Sequence, residues 1–323
     1  MPAWRSLRAA MSGLASATLV LAAPATSARP HPDQIAFSNT KEIYLVNTDG
    51  SGLRRLTHLP KGYSEDAQPA WSPDRKTISF SRQHSTTSLV ADLFLVQSDG
   101  TGLRQLTHEP RLEPGDAVWS SRGLLAFHSR PGVWLAGPPT WKPVLILKGA
   151  ELPSWSPDGE TLVADDGFGD LITLDVRTHV QHVFGVDAGY PVWSPDGTKI
   201  AFDRQTADRK GAIYTMNAGG GGIRKVGDGD CLGVSPLSWS PDGRAIAAFD
   251  QQACDGPDTA YEYPLAGGHR ILLGPGQSPQ WAPDGKQLTV EYVDSHYDLQ
   301  IALVNANGTG RHKLVAGFFA AWR

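Results

Sequence analysis

Short apolar runs rich in branched and aromatic side chains recur along this chain, each bounded by turn-forming residues. One series falls at residues 35–37, 78–80, 125–127, 162–164, 200–202, 246–248 and 288–290. A second falls at 42–46, 92–96 and 299–304. Each member of the second series is followed by an Asp-Gly or Asn-Gly cluster, then by a further short run at 54–57, 104–107 or 313–315. Runs of this kind, with turn residues at both ends, read as β-strands joined into hairpins. Ahead of the first series stands a repeated pentapeptide, fullest at Trp193-Ser194-Pro195-Asp196-Gly197. Trp155 to Gly159 and Trp239 to Gly243 repeat it, Trp71 to Asp74 lacks the Gly, and Trp281 to Gly285 has Ala282 for Ser. A worn copy stands at Trp119-Ser120-Ser121-Arg122-Gly123, and Trp322 is a truncated seventh. Ser suits the first position of a tight turn, Pro presets φ at the second, Asp tolerates the third and Gly relieves the fourth.

The Trp-to-Trp spacings are 48, 36, 38, 46, 42 and 41. A period near forty with four strand signals per unit predicts an all-β fold, a β-propeller of four-stranded blades. Seven strands of the first series and seven Trp strands predict seven blades. The first strand, at Ile35, has no Trp strand before it, and the last Trp has no strand after it. Joining the two makes residues 318–322 the inner strand of the blade begun at Ile35, so that N- and C-terminal strands close the ring and leave no open edge. Six blades is the alternative, because the Trp119 copy is shortened and the region from Trp134 to Leu147 is irregular.

The repeat Trp-Ser-Pro-Asp-Gly-x-x-Ile-Ala-Phe, followed by a hairpin with Asp-Gly-x-Gly and Leu-Thr, resembles the TolB-type, WD-repeat-like propeller family. The resemblance covers residues 33–323. It implies a propeller that works through protein partners in the cell envelope. The chain departs from TolB in having no segment that fits TolB's separate N-terminal domain, and in a blade count above the six expected of TolB. The motif is specific for fold and unspecific for function, since it also accompanies peptidases and some lyases.

Residues 1–28 carry Arg5 and Arg8, an apolar stretch at 14–23 and small residues up to Ala28. This is the pattern of a secretory signal peptide, cleaved after Ala25 or Ala28, so the protein is expected to be exported to the periplasm or the extracellular space. Residues 29–323 then form one propeller domain with no further membrane-spanning segment. The formal charge of −4 becomes −6 once Arg5 and Arg8 are removed. An acidic chain without basic clusters is not a nucleic-acid binder. The two cysteines, Cys231 and Cys254, fall in loops on one face of the same blade, and a disulfide is expected between them.

The Ser-Pro-Asp-Gly and Asp-Gly-x-Gly turns share one face and are short and alike. The loops between blades and the middle loops, at 82–91, 204–211 and 251–258, share the other face and vary. Binding chemistry is expected there, at the mouth of the central channel. At the exit of the second strand on that face stand Ser38, Ser81, His128, Asp165, Asp203, Asp250 and Glu291. Their carboxylates in one ring suit a cation, a positively charged ligand or a peptide terminus; the bland alternative is pairing with arginine or capping of loop amides. His296, with Asp294, Tyr297 and Asp298 beside it, is a further candidate on this face. The chain has no Gly-x-Ser-x-Gly, His-Glu-x-x-His, phosphate loop or Cys-x-x-Cys. The expected function is therefore a non-catalytic propeller that binds a protein or peptide partner and needs no cofactor. The alternative is a lyase or hydrolase acting on a sugar or peptide, with a divalent cation held by His128, Asp165, Asp203 and His296.

Overall fold

The computed structural model describes residues 33–84, 90–108, 115–205, 210–229, 237–251 and 258–323. Both cysteines and most of the three long middle loops fall outside the described residues, as does the segment read as a signal peptide. Residues 33–323 form one unit of seven four-stranded antiparallel sheets. The seven-bladed count holds. The Trp119 region makes a complete third blade of Gly115–Trp119, Leu125–Ser129, Gly132–Ala136 and Val144–Lys148. The first blade takes Phe318–Trp322 as its inner strand beside Gln34–Ser38, with Ile35 opposite Trp322 and Ala36 opposite Ala321. No helix among the described residues is long and apolar enough to cross a membrane.

The pentapeptide is a hydrogen-bonded unit more than a permissive turn. The Ser hydroxyl donates to the Asp carboxylate at 2.6 Å in Ser72–Asp74, Ser156–Asp158 and Ser194–Asp196, and at 2.7 Å in Ser240–Asp242. The same carboxylates accept the amides of Lys76, Glu160, Thr198 and Arg244. The Ser hydroxyl in turn accepts the amide that opens the next strand, as at Thr77, Thr161, Lys199 and Ala245. These bonds to the ionised form hold each Asp below the ordinary carboxylate range, the Ser hydroxyl contributing most.

The repeated Trp joins blade to blade. The indole N–H of Trp119 donates to the Ala70 carbonyl at 3.2 Å, that of Trp155 to Val118 at 3.1 Å, that of Trp239 to Val192 at 3.2 Å and that of Trp322 to Gln280 at 3.0 Å. Each acceptor is the residue before the preceding blade's Trp. Trp71, which follows the blade of Ala321-Trp322, has a buried indole nitrogen without a partner among the described residues, and where the residue is serine the backbone bonds instead. The backbone amides of Trp193 and Trp281 donate to the hydroxyls of Ser154 and Ser238, and their indole nitrogens are buried without a partner. The Leu-Thr pair locks the outer hairpins: the Thr57 and Thr107 hydroxyls accept the amides of Ile43 and Leu93. Between the blades lie Phe37, Phe80, Phe127 and Phe202, all essentially without solvent contact.

Six inner strands carry a bulge at one place, where a non-glycine residue takes positive φ: Gln68, Asp116, Leu152, Tyr190, Ser278 and Phe319, at 49–53°. The strand register shifts at each of them. This backbone region is sparsely used by residues with a Cβ. It is held here because the bulge re-aims one side chain per blade toward the axis.

Candidate functional site

These six re-aimed residues line a central cavity of about 420 Å³, together with the prolines that follow three of them, Pro69, Pro153 and Pro191, and Leu237 of the sixth blade. Its wall is largely apolar. Its two acidic lining residues are Asp116 of the third blade and Glu291 of the seventh, and the Glu151, Asp165 and Asp203 carboxylates of blades four and five crowd together near Asp116.

Second-strand residues that stand three positions after the Trp-paired residue share one side of their blades. Trp119 pairs Leu125, Trp155 pairs Leu162, Trp193 pairs Ile200 and Trp281 pairs Leu288. His128, Asp165, Asp203 and Glu291 each stand three residues on. Gly189 lies between two of these acids: a Cβ placed there would be 3.1 Å from Asp203 Oδ1 and 3.2 Å from Asp165 Oδ2. A side chain there would push the two carboxylates back by a few tenths of an ångström. Asp165 also accepts the Gly167 amide at 2.5 Å and pairs Glu151 across its hairpin. Asp116, on the bulge of the third blade, projects into the cavity, with the His128 charge and the Glu151 carboxylate within electrostatic reach.

The electrostatics follow from this crowding. Burial pushes Asp203 up to about 6, with a smaller push from Asp165 and an opposing hydrogen bond from the Gly189 amide. Burial raises Asp165, against the pull of the Gly167 amide, and Glu151 and Asp166 raise it further. Asp116 is open to channel water yet ringed by protein. That enclosure raises it, His128 opposes the shift and Glu151 adds to it. Asp116, Glu151, Asp165 and Asp203 therefore form an acidic arc that reaches the cavity at Asp116. A cation placed in the arc relieves the repulsion among its carboxylates.

The structure separates the other candidates. Asp250 stands four positions after Ile246, the partner of Trp239, so Phe249 occupies the position equivalent to Asp203. The one-residue difference turns Asp250 to the opposite side of its blade. There it is fully buried and bonds Arg270 at 2.8 Å, whose guanidinium lies 4.0 Å from the Tyr261 ring centre. The ring of carboxylates expected in four consecutive blades is thus interrupted at the sixth. Glu291 does line the cavity, on the other side, and its Oε1 accepts the Ala320 amide at 3.0 Å, tying the seventh blade to the closing strand. Burial pushes it up to about 7, against its bonds to the Ala320 and Phe319 amides. His296 lies in a middle turn of the seventh blade, knit by Asp294, which accepts the amides of His296 and Asp298 at 2.9 and 3.1 Å. It lines a separate groove of about 700 Å³ beside Phe37 and Tyr44 of the first blade. The four-residue set of His128, Asp165, Asp203 and His296 is not brought together. Among the described residues no group of three or more His, Cys, Asp or Glu has the geometry to hold a metal ion. Asp116 and Glu151 were missed in the sequence because they sit on inner strands. Counting back three places from each repeated Trp finds Asp116.

No known family's sequence profile matches the chain. Its fold recurs in solved structures. TolB from Acinetobacter baumannii is 18% identical with a TM-score of 0.58, over 90% of this chain and 66% of that one. Oligogalacturonate lyase from Vibrio parahaemolyticus is 15% identical with a TM-score of 0.62, over 88% and 85% of the two chains. A chain of the mitotic checkpoint complex is 19% identical with a TM-score of 0.62, over 83% of each. This chain spans just under two thirds of the TolB chain it resembles. At these identities the likeness is one of fold: this is a seven-bladed, TolB-like propeller.

Proposed function

We propose that the chain is an exported, non-catalytic propeller that binds a protein or peptide partner on the face where its blades are joined. The acidic arc receives a cationic group of that partner, a lysine or arginine side chain or a free amino terminus. The observation that carries this reading is the convergence of Asp165 and Asp203 on Gly189 beside Asp116 and Glu151. Crowded carboxylates raised by burial gain most from an opposite charge that completes them. Apolar neighbours such as Leu152 and Tyr190 suit the stem that carries such a charge. The fold shared with TolB and with a chain of a multi-protein complex favours a partner of this kind, and residues 1–28 favour its being met outside the cytoplasm.

The test is affinity capture from the envelope fraction of the native host. The bait is residues 29–323, and the control carries Asp165→Asn with Asp203→Asn. The reading expects a partner held by the wild type and lost by the control. Titration of manganese or calcium into both proteins runs beside it. Stoichiometric metal binding that needs both carboxylates, with no partner captured, would replace this reading with the metal-assisted lyase or hydrolase. A partner held equally by both proteins would remove the acidic arc from recognition. N-terminal sequencing of the chain recovered from the host should find it beginning after Ala25 or Ala28.

A further inference from the structure

The face opposite the channel mouth carries the pentapeptide turns, and these tile around the ring. A Cβ placed on Gly197 would lie 3.4 Å from the ring of Pro157 in the preceding blade. At Gly285 the distance to Pro241 is 3.7 Å, and at Gly243 to Pro195 it is 4.0 Å. Gly159 meets the worn turn even more closely, with Ser121 Oγ at 2.7 Å. The turns of the fifth, sixth and seventh blades thus pack against the proline of the turn before them, and that of the fourth against Ser121 and Arg122. Among the glycines of these turns Gly123 is the exception, with nothing within 4 Å of its added Cβ.

The cause is legible in the chain. In the other complete repeats the Trp pairs a residue seven positions on, as Trp71 with Ile78 and Trp193 with Ile200. Trp119 pairs Leu125, six positions on. The third blade's turn is one residue short and lacks both Pro and Asp, so it leaves Pro73 of the second blade uncovered. The gap is a groove of about 540 Å³, within the range of small-ligand sites.

The outer hairpin of the third blade supplies a wall found in no other blade, Gly137-Pro138-Pro139-Thr140-Trp141-Lys142-Pro143 in place of Asp-Gly-x-Gly. Trp141 sits edge-on to Trp119 with ring centres 5.8 Å apart, and the Arg104 guanidinium lies 4.7 Å from its ring centre. The indole N–H of Trp119 is spent on Ala70 and Ser79, whereas that of Trp141 has no protein partner among the described residues. On the rim, Asp74 uses Oδ1 for Ser72 and Lys76, which leaves Oδ2 open, and the Ser72 hydroxyl above all keeps it ionised. Across from it Arg122 is held by the Asp158 carbonyl at 2.8 Å and Glu160 at 2.5 Å.

We propose that this groove binds a short oligosaccharide. Indole walls match the apolar C–H face of a sugar ring. A fixed carboxylate and a fixed guanidinium lining the same groove match sugar hydroxyls, which donate to the one and accept from the other. An anion or a cation would satisfy one of these charges and be repelled by the second. The site is on the opposite face from the acidic arc, so it stands or falls independently of the reading above.

The test is saturation-transfer NMR and calorimetry on residues 29–323 with cellotriose, maltotriose and chitotriose, and with zwitterionic triglycine as the competing chemistry. At least one trisaccharide should bind saturably with a Kd below about 10 mM. Two variants then place it. Trp141→Ala removes the wall. Restoring the repeat by Ser121→Pro and Arg122→Asp, with one residue inserted after Gly123, refills the tile and leaves Trp141 intact. Both should weaken binding at least tenfold, with the circular dichroism of the propeller unchanged. No saturable binding of any of the three sugars overturns the proposal. So does a preference for triglycine, or undiminished binding in a folded restored-turn protein.

Discussion

Removing the Asp66 carboxylate tests whether the first two blades are stitched by one buried ionic network. Asp66 has no solvent contact and Arg82 is 2% exposed. The carboxylate accepts Arg82 Nε at 2.6 Å, Arg82 Nη2 at 2.8 Å and the Thr57 hydroxyl at 2.6 Å. Thr57 belongs to the outer edge of the first blade, and the Ser38 hydroxyl of that blade bonds the Asp66 carbonyl at 2.8 Å. Arg82 lies among Phe94, Phe80 and Tyr63, whose ring centres are 4.8, 5.4 and 5.6 Å from its guanidinium carbon. Asp66→Ala leaves that guanidinium buried with the His58 carbonyl, at 3.3 Å, as its remaining acceptor among the described residues. Breaking a buried pair from one side costs about 3–5 kcal/mol, because the surviving charge loses its compensation without regaining water. Urea unfolding of residues 29–323, followed by tryptophan fluorescence, measures it. Arg82→Met and the double variant complete the cycle. The double variant should cost less than the sum of the singles by about 2 kcal/mol or more. A loss below about 1 kcal/mol for Asp66→Ala, or single effects that simply add, would refute this account of the first interface.

Four further expectations concern the same ring. Trp155→Phe deletes a bonded indole N–H and Trp193→Phe an unbonded one, so the first should cost about 1 kcal/mol more on denaturant unfolding; equal losses would remove the indole ladder as a source of stability. Glu291 is raised to about 7 in the folded state, so its proton favours folding below its ordinary value of 4.5, and that contribution is lost as pH rises through 7. Glu291→Gln should therefore leave stability near pH 4 unchanged and raise it at pH 8 by on the order of 2 kcal/mol, in thermal scans across that window; a variant no more stable than wild type at pH 8 counts against the buried proton. Asp203 should add to the loss as pH passes about 6, whereas the Asp residues of the pentapeptide turns stabilise above about 4 and release that only below it. Deleting residues 318–323 removes the inner strand of the first blade, the amide that Glu291 holds and the bond from Trp322 to Gln280; the whole ring should lose its cooperative transition, and an unchanged midpoint would sink closure by the two ends.

The sequence by itself determined what lies within one hairpin's length. Trp-Ser-Pro-Asp-Gly encodes its turn through bonds between residues two to five places apart, so each copy is readable alone. Repetition of that local unit, with one strand missing at each end, was enough for seven blades and for closure through Phe318–Trp322. What the sequence left open depends on register and on neighbours far apart in the chain. Asp250 looks like Asp203 in its run, yet one residue of offset turns it onto Arg270, because strand side chains alternate with a period of two. Asp116 joins the acids only through a bulge that re-aims its side chain toward the axis, and Glu151 through its pairing opposite Asp165 on the inner strand. His296 was placed on the correct loop type but reaches a different groove. The gap beside Gly123 comes from one missing residue, visible in the text of the chain only once the tiling of its neighbours shows what that residue would have covered. Local chemistry specifies a blade; the contents of the channel, the grooves and the interfaces are decided where blades meet, and that geometry exists only in the closed ring.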